Sequence, residues 1–264
     1  MGQKLTLAQE VEIAAKAGYD AIEPWVPKIA DYEKAGGSLK DIAKKIADLG
    51  LIVPDAIGFA PWIVDDAAKR AAGLEQAKHD MDLVRQIGGT HIAAPPAGAT
   101  DVHMTDLLVI AERYRALIEI GHSIGILPQL EVWGFSKTLS RLGEVAEVAI
   151  ESGHPDACIL ADIYHLRKGK SGFAGLKALG PSALHIFHVN DYPENIPVDK
   201  LQDADRVYPT NGDAPMAEIF NNLRSTGATL VLSLELFNRD YWKQDPQIVA
   251  TTGLQKLKAA AAKA

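Results

Sequence analysis

Four apolar runs in the second half of the chain end in side chains that can hold a cation or move a proton. LPQLEVWG delivers Glu131, ACILADIYH delivers Asp162, LHIFHVND delivers His188 and LVLSLELFN delivers Glu235. Residues two apart on a strand share a face. Gln129, Glu131 and Trp133 therefore point together, as do Ile186, His188 and Asn190, and Ser233, Glu235 and Phe237. Carboxylates taken out of water must be paired, hydrogen-bonded or bound to metal. At a dry mouth with few basic residues nearby, three carboxylates and an imidazole need a cation. The donors are hard and oxygen-rich, which suits Mn²⁺ or Mg²⁺, with Co²⁺ a further candidate. Zn²⁺ is a weaker candidate, because a structural tetrahedral zinc site would more often show cysteines. The ligand spacing matches no compact metal motif, so one site forms only if the fold gathers the strand ends.

After His188 the chain runs into a polar loop that carries Arg206 and ends in Gly212-Asp213. A histidine at a strand's end, followed by a charged loop too long for a simple connection, marks a site. Asp191 is expected to orient this loop or to support a ligand. Other residues carry two readings. Glu23 either binds substrate hydroxyls or pairs with a lysine. Trp25, Trp62 and Trp133 either line a pocket with an aromatic face or pack in the core or rim. Lys137 either meets an anionic group or is solvated. His91 reads as a satisfied core histidine, and His185 is expected on the face opposite His188, against the helices.

These residues need a scaffold that alternates strand and helix. LTLAQEVEIAAKAG reads as a helix capped by Thr6 and stopped by Gly18. YDAIEPW then reads as a strand, SLKDIAKKIADLG as a helix capped by Ser38, and LIVPDAIGF as a strand. A long helix over about 66–87, the strand THIAAPP and a helix over about 105–120 follow. The second half repeats the scheme, with SGFAGLKALG as a short helix, ACILADIYH as a strand throughout, and a last helix from about Pro246 whose AAAAKA tail is expected to fray. Seven strands emerge, one short of a closed (β/α)8 TIM barrel. The first strand is missing, or residues around Gln3 to Leu5 supply a vestige. An open doubly wound sheet would predict an early glycine-rich phosphate loop, and none is present. With no linker or shift in composition, residues 1–264 read as one domain.

Composition narrows the partners. At 264 residues with 47% apolar and 23% charged positions, the chain suits one globular α/β enzyme. A net charge of -7 argues against a nucleic-acid surface. No apolar stretch approaches the ~20 residues of a membrane span. The single Cys158 precludes an internal disulfide and makes a reducing, cytoplasmic setting the expectation.

In order along the chain, Glu131, Asp162-x-x-His165, His188 and Glu235 resemble the xylose-isomerase-like superfamily of TIM barrels. More closely they resemble its sugar phosphate isomerase/epimerase group, which includes ketose 3-epimerases and inosose-processing enzymes. GYDAIEPW, IGGTHIAAPP, HVNDYP and DRVYPTNGDAP extend the resemblance over nearly the whole chain. It implies that Glu131, Asp162, His188 and Glu235 ligate the metal, and that Glu131 and Glu235 double as the acid/base pair. It also implies that His165 and Arg206 contact substrate. One position departs: those epimerases carry another glutamate shortly after the first ligand, where this chain reads WGFSKT. The resemblance implies an isomerase or epimerase of a sugar or cyclitol. A lyase removing water from a keto-sugar or cyclic keto-acid is the alternative, and a non-catalytic binding protein a further one. An unpaired edge at the missing strand would give a homo-oligomer a place to form.

Overall fold

A computed structural model describes residues 4–262. Nine α-helices alternate with a curled, all-parallel sheet among these residues. Helices α1 (Leu7–Ala17), α2 (Val26–Lys34), α3 (Leu39–Asp48) and α4 (Ala67–Gln86) precede strand β1 (His91–Ala94). Then follow α5 (Leu107–Ile124), β2 (Leu127–Glu131), α6 (Leu142–Glu151), β3 (Cys158–Asp162), α7 (Ile163–Lys168), β4 (Leu184–His188), α8 (Met216–Ser225), β5 (Val231–Ser233) and α9 (Pro246–Ala261). The five strands pair in chain order. Parallel bridges Ala21 to Ile52, Trp25 to Ile57 and Val53 to Gly89 add two short extended segments ahead of β1, making seven staves.

Local signals set many boundaries. Thr6 and Gln9 form a capping box, and Gly18 ends α1 in a left-handed conformation. Ser38 and Asp66 cap α3 and α4. Four expectations are corrected. The helix α2 was not foreseen, because its nine residues are short and follow directly on a strand. The segment read as SGFAGLKALG helix is a 3₁₀ turn over Ala174–Ala178. The run ACILADIYH stops being a strand at Asp162, so Tyr164 and His165 are helical. The alanine tail stays helical to Ala261, with Ala260 buried, while its last two residues, Lys263 and Ala264, lie outside the described residues.

Side chains divide between two cores. Ile57, Ala93, Leu160 and Ile186 fill the barrel interior, with Trp25, Phe59 and Val231 against them. Leu130, Ile159, Ala161 and Phe187 face outward into the larger core beneath the helices. A register irregularity between β3 and β4 breaks strict alternation. Leu184 and Phe187 both join the outer core, and His185 lies with its ring 4.7 Å from that of His91. Two strands separate β1 from β4, so these rings meet across the barrel interior. The expectation that His185 packs against the helices is therefore overturned by the bulge.

No strand precedes α1 among the described residues: Lys4 to Thr6 are irregular, and Met1 to Gln3 lie outside the description, so the vestige read around Gln3 to Leu5 is not a strand where it can be seen. The seam falls between segment 21–25 and β5. A cavity of about 820 Å³ runs along it, lined by Ile13 and Ala14 of α1, Ile22, Val231 and Leu254. Across the seam Ser233 Oγ donates to Glu23 Oε2 at 2.7 Å. Helices α1 and α9 pack together over this side.

Candidate functional site

Asp162 is both the last residue of β3 and the N-cap of α7. Its Oδ1 accepts the Tyr164 N–H at 2.7 Å, which fixes the carboxylate and turns Oδ2 toward the barrel mouth. Asn190, two residues past His188, donates from Nδ2 to Asp162 Oδ2 at 2.8 Å and accepts the Glu235 N–H on Oδ1, also at 2.8 Å. One buried amide thus spaces the ends of β3, β4 and the segment after β5. Sequence reasoning placed Asn190 on the face of His188 and gave it no task; that shared face was the available signal.

The loop after β4 is held by Asp191. Its carboxylate accepts N–H groups from Tyr192, Thr210, Gly212 and Ala214 at 2.8–3.0 Å, and its backbone pairs antiparallel with Val207. Glycine is required at 212, where a Cβ would fall 2.1 Å from the Tyr192 carbonyl oxygen. The clasp leaves Arg206, 1% exposed, inside the mouth.

Arg206 changes the electrostatics read from the sequence. Few basic residues were expected near the carboxylates, yet its Nη1 donates to Asp162 Oδ2 at 2.8 Å and Glu235 Oε2 at 3.1 Å. Nη2 donates to Asp203 Oδ1 at 2.8 Å and lies 3.2 Å from His165 Nε2. The guanidinium sits against the Tyr164 and Phe237 rings at 5.0 and 4.9 Å. A residue 44 positions beyond Asp162 reaches it only because the clasped loop folds back.

Asp162, His188 and Glu235 each offer one donor atom, and the three atoms lie within 4.8 Å of one another. His188 is fully buried; its Nε2 stands 3.0 Å from Glu23 Oε1, while its Nδ1 has no hydrogen-bond partner. An orphaned imidazole nitrogen beside two carboxylates fits a divalent cation. Glu131, expected as a fourth ligand, lies outside this triad, with Oε1 3.9 Å from His165 Nε2. His165 is buried, and Trp133 packs beside it with ring centroids 6.3 Å apart. Glu23 is turned to His188 and Ser233 rather than outward. Lys137 is exposed. Of the other tryptophans, Trp62 is buried, donating to the Pro95 carbonyl at 2.8 Å, and Trp25 packs edge-on to Phe59 and Phe237.

Burial, then the charge of Glu235, pushes the Glu131 carboxyl up to about 8. Burial also raises Asp162 and Glu235, with Arg206 opposing it. Burial, and next the Arg206 charge, holds His165 well below the usual imidazole range, so it is neutral. Burial would depress His188 too, but Glu23, Glu235 and Asp162 outweigh it and push the ring up to about 10. The metal-free ring is therefore a cation at neutral pH, and coordination through Nδ1 requires it to lose that proton. Titrating Mn²⁺ into the protein near neutrality is expected to release about one proton per ion, with affinity rising about tenfold per pH unit below the His188 pKa. Calorimetry in buffers of different ionisation heat measures this, and binding with no proton released would contradict it.

Comparisons with known proteins agree with this architecture. A family model described as "Xylose isomerase-like TIM barrel" matches residues 11–260. The inosose isomerase of Bacillus velezensis is 24% identical over 97% of this chain and 92% of its own length. The 3-dehydroshikimate dehydratase of Pseudomonas putida is 22% identical over 96% of this chain, which spans 39% of that longer protein. Among solved structures, the IOLI protein with a bound zinc atom superimposes with a TM-score of 0.89 at 21% identity, covering 98% of this chain and 94% of that one. Among the described residues, no helix is long and apolar enough to cross a membrane.

Proposed function

The chain belongs to the xylose isomerase-like TIM barrel family, and we propose on that premise that it is a metal-dependent isomerase or epimerase of a sugar or cyclitol. The observation that carries this reading is the close triad of buried Asp162 and His188 with half-buried Glu235, the unpartnered His188 Nδ1 being turned to the carboxylates. These three would hold the ion, with Glu131 able to join from the adjacent strand. Hard oxygen donors favour Mn²⁺ or Mg²⁺, while the zinc in the IOLI structure supports keeping Zn²⁺ in the test.

A divalent ion bound there would polarise a carbonyl and a neighbouring hydroxyl and so acidify the adjacent C–H. Around it the protein supplies proton transfer and positioning. Glu235 takes the proton as a carboxylate. Glu131, whose carboxyl burial pushes up to about 8 before any ion is bound, returns one at the other face. Arg206 and neutral His165 bind substrate oxygens, and Trp133 and Phe237 cover the sugar's apolar faces.

A lyase is the second reading. The same abstraction expels a hydroxyl on the next carbon, the dehydratase from Pseudomonas putida is a relative, and WGFSKT lacks the epimerases' extra glutamate. Incubating the Mn²⁺-loaded protein with ketoses and keto-cyclitols in deuterated water separates the two. An isomerase is expected to place one deuterium on carbon with no loss of water, whereas a lyase creates a conjugated chromophore. Absence of both exchange and dehydration across the panel would overturn the proposal.

A further inference from the structure

We infer that Glu23 is the positioning residue that fixes the tautomer of His188 and thereby sets the affinity of the triad for its metal ion. This rests on the metal reading of the triad. Glu23 lies on segment 21–25, on the other side of the seam from β5, and its carboxylate serves His188 and Ser233 together. Oε1 and Oε2 both stand 3.0 Å from His188 Nε2, and Oε2 also accepts the Ser233 hydroxyl at 2.7 Å. A carboxylate accepts and does not donate, so Nε2 must carry its hydrogen, and Nδ1 is the nitrogen left to present a lone pair. That nitrogen is buried without a partner beside Asp162 and Glu235. The second oxygen is anchored, so the carboxylate cannot rotate away. A carboxylate behind a metal-binding histidine fixes ring orientation and raises ligand basicity. The chain therefore assigns Glu23 to the ion's outer surroundings and leaves sugar hydroxyls to residues at the mouth.

Three variants separate positioning from mere bracing of the seam. Glu23→Leu removes the acceptor from both His188 and Ser233. Glu23→Gln keeps a neutral acceptor. Ser233→Ala removes the seam tie while leaving the His188 contact. Mn²⁺ affinity by calorimetry is expected to fall about 100-fold in Glu23→Leu and about 10-fold in Glu23→Gln, and to stay close to the parent value in Ser233→Ala. Nitrogen-15 shifts of His188 in the zinc-loaded protein should show Nε2 protonated in the parent and a mixture of ring forms in Glu23→Leu. If Glu23→Leu does not fold, Glu23→Gln carries the test. Tight parent binding with unchanged affinity in the Glu23 variants would overturn the inference and leave the proposed function standing. Equal losses in Ser233→Ala and Glu23→Leu would also overturn it, as bracing alone. A parent protein that binds no divalent ion would sink both together.

Discussion

Replacing Asp162 by alanine is expected to weaken divalent-ion binding by more than about 100-fold, because losing partners one step outside a ligand shell already costs roughly 10–100-fold. Folding stability should fall in parallel by about 3–5 kcal/mol, the usual cost of removing one partner from a buried ion pair. The two losses share a cause. Asp162 caps α7 through Oδ1, while its Oδ2 accepts from both Asn190 and the buried Arg206. In its absence Arg206 keeps Asp203 and Glu235, of which Asp203 is 46% exposed in its side chain. Asp162→Asn separates the effects: it keeps the shape and the cap, and removes the charge that both the ion and Arg206 need. Calorimetric Mn²⁺ titration and urea unfolding of the two variants measure this. An alanine variant with parental metal affinity would remove Asp162 from the proposed ion site.

Glu235→Gln is expected to lower turnover by about 10²–10⁴-fold, the range for loss of a positioned proton-transfer group. A glutamine oxygen can still reach a cation, so saturating metal should restore occupancy without restoring the rate. Glu131→Gln should lose turnover as well, with a diagnostic pH profile. Burial raises the Glu131 pKa from 4.5 to about 8, so its acid form is present below that value and disappears as pH rises through it. A bound dication draws that value down, so activity that depends on the acid form should decline on an alkaline limb lying below 8, and Glu131→Gln should lack that limb. Turnover of the metal-saturated variants across pH checks both. Full activity in Glu235→Gln would remove that residue from proton transfer.

The clasp around Asp191 shows how the sequence and the fold share the outcome. A polar run between a strand and a helix was recognisable as too long for a connection, and Asp191 as its organiser. Four N–H groups converging on one carboxylate, and the reach of Arg206 into the mouth, were not recognisable. Hydrogen bonds between residues about twenty positions apart leave no local pattern. His185 makes the same point for strands: alternation assigns faces only until a bulge shifts the register.

By itself the chain determined the alternation of strand and helix, the caps at Thr6, Ser38 and Asp66, and the placing of Glu131, Asp162 and His188 at strand ends and of Glu235 just past one, because periodicity, capping and turn chemistry act over a few residues. Tertiary structure alone decided that Asp162, His188 and Glu235 form the close triad while Glu131 stands by His165. It also decided that Arg206 enters among the carboxylates and that Glu23 crosses the seam to His188. Those outcomes depend on barrel curvature and on burial, which raise some carboxyl pKa values and leave one imidazole nitrogen without a partner; both are properties of residues brought together from distant parts of the chain.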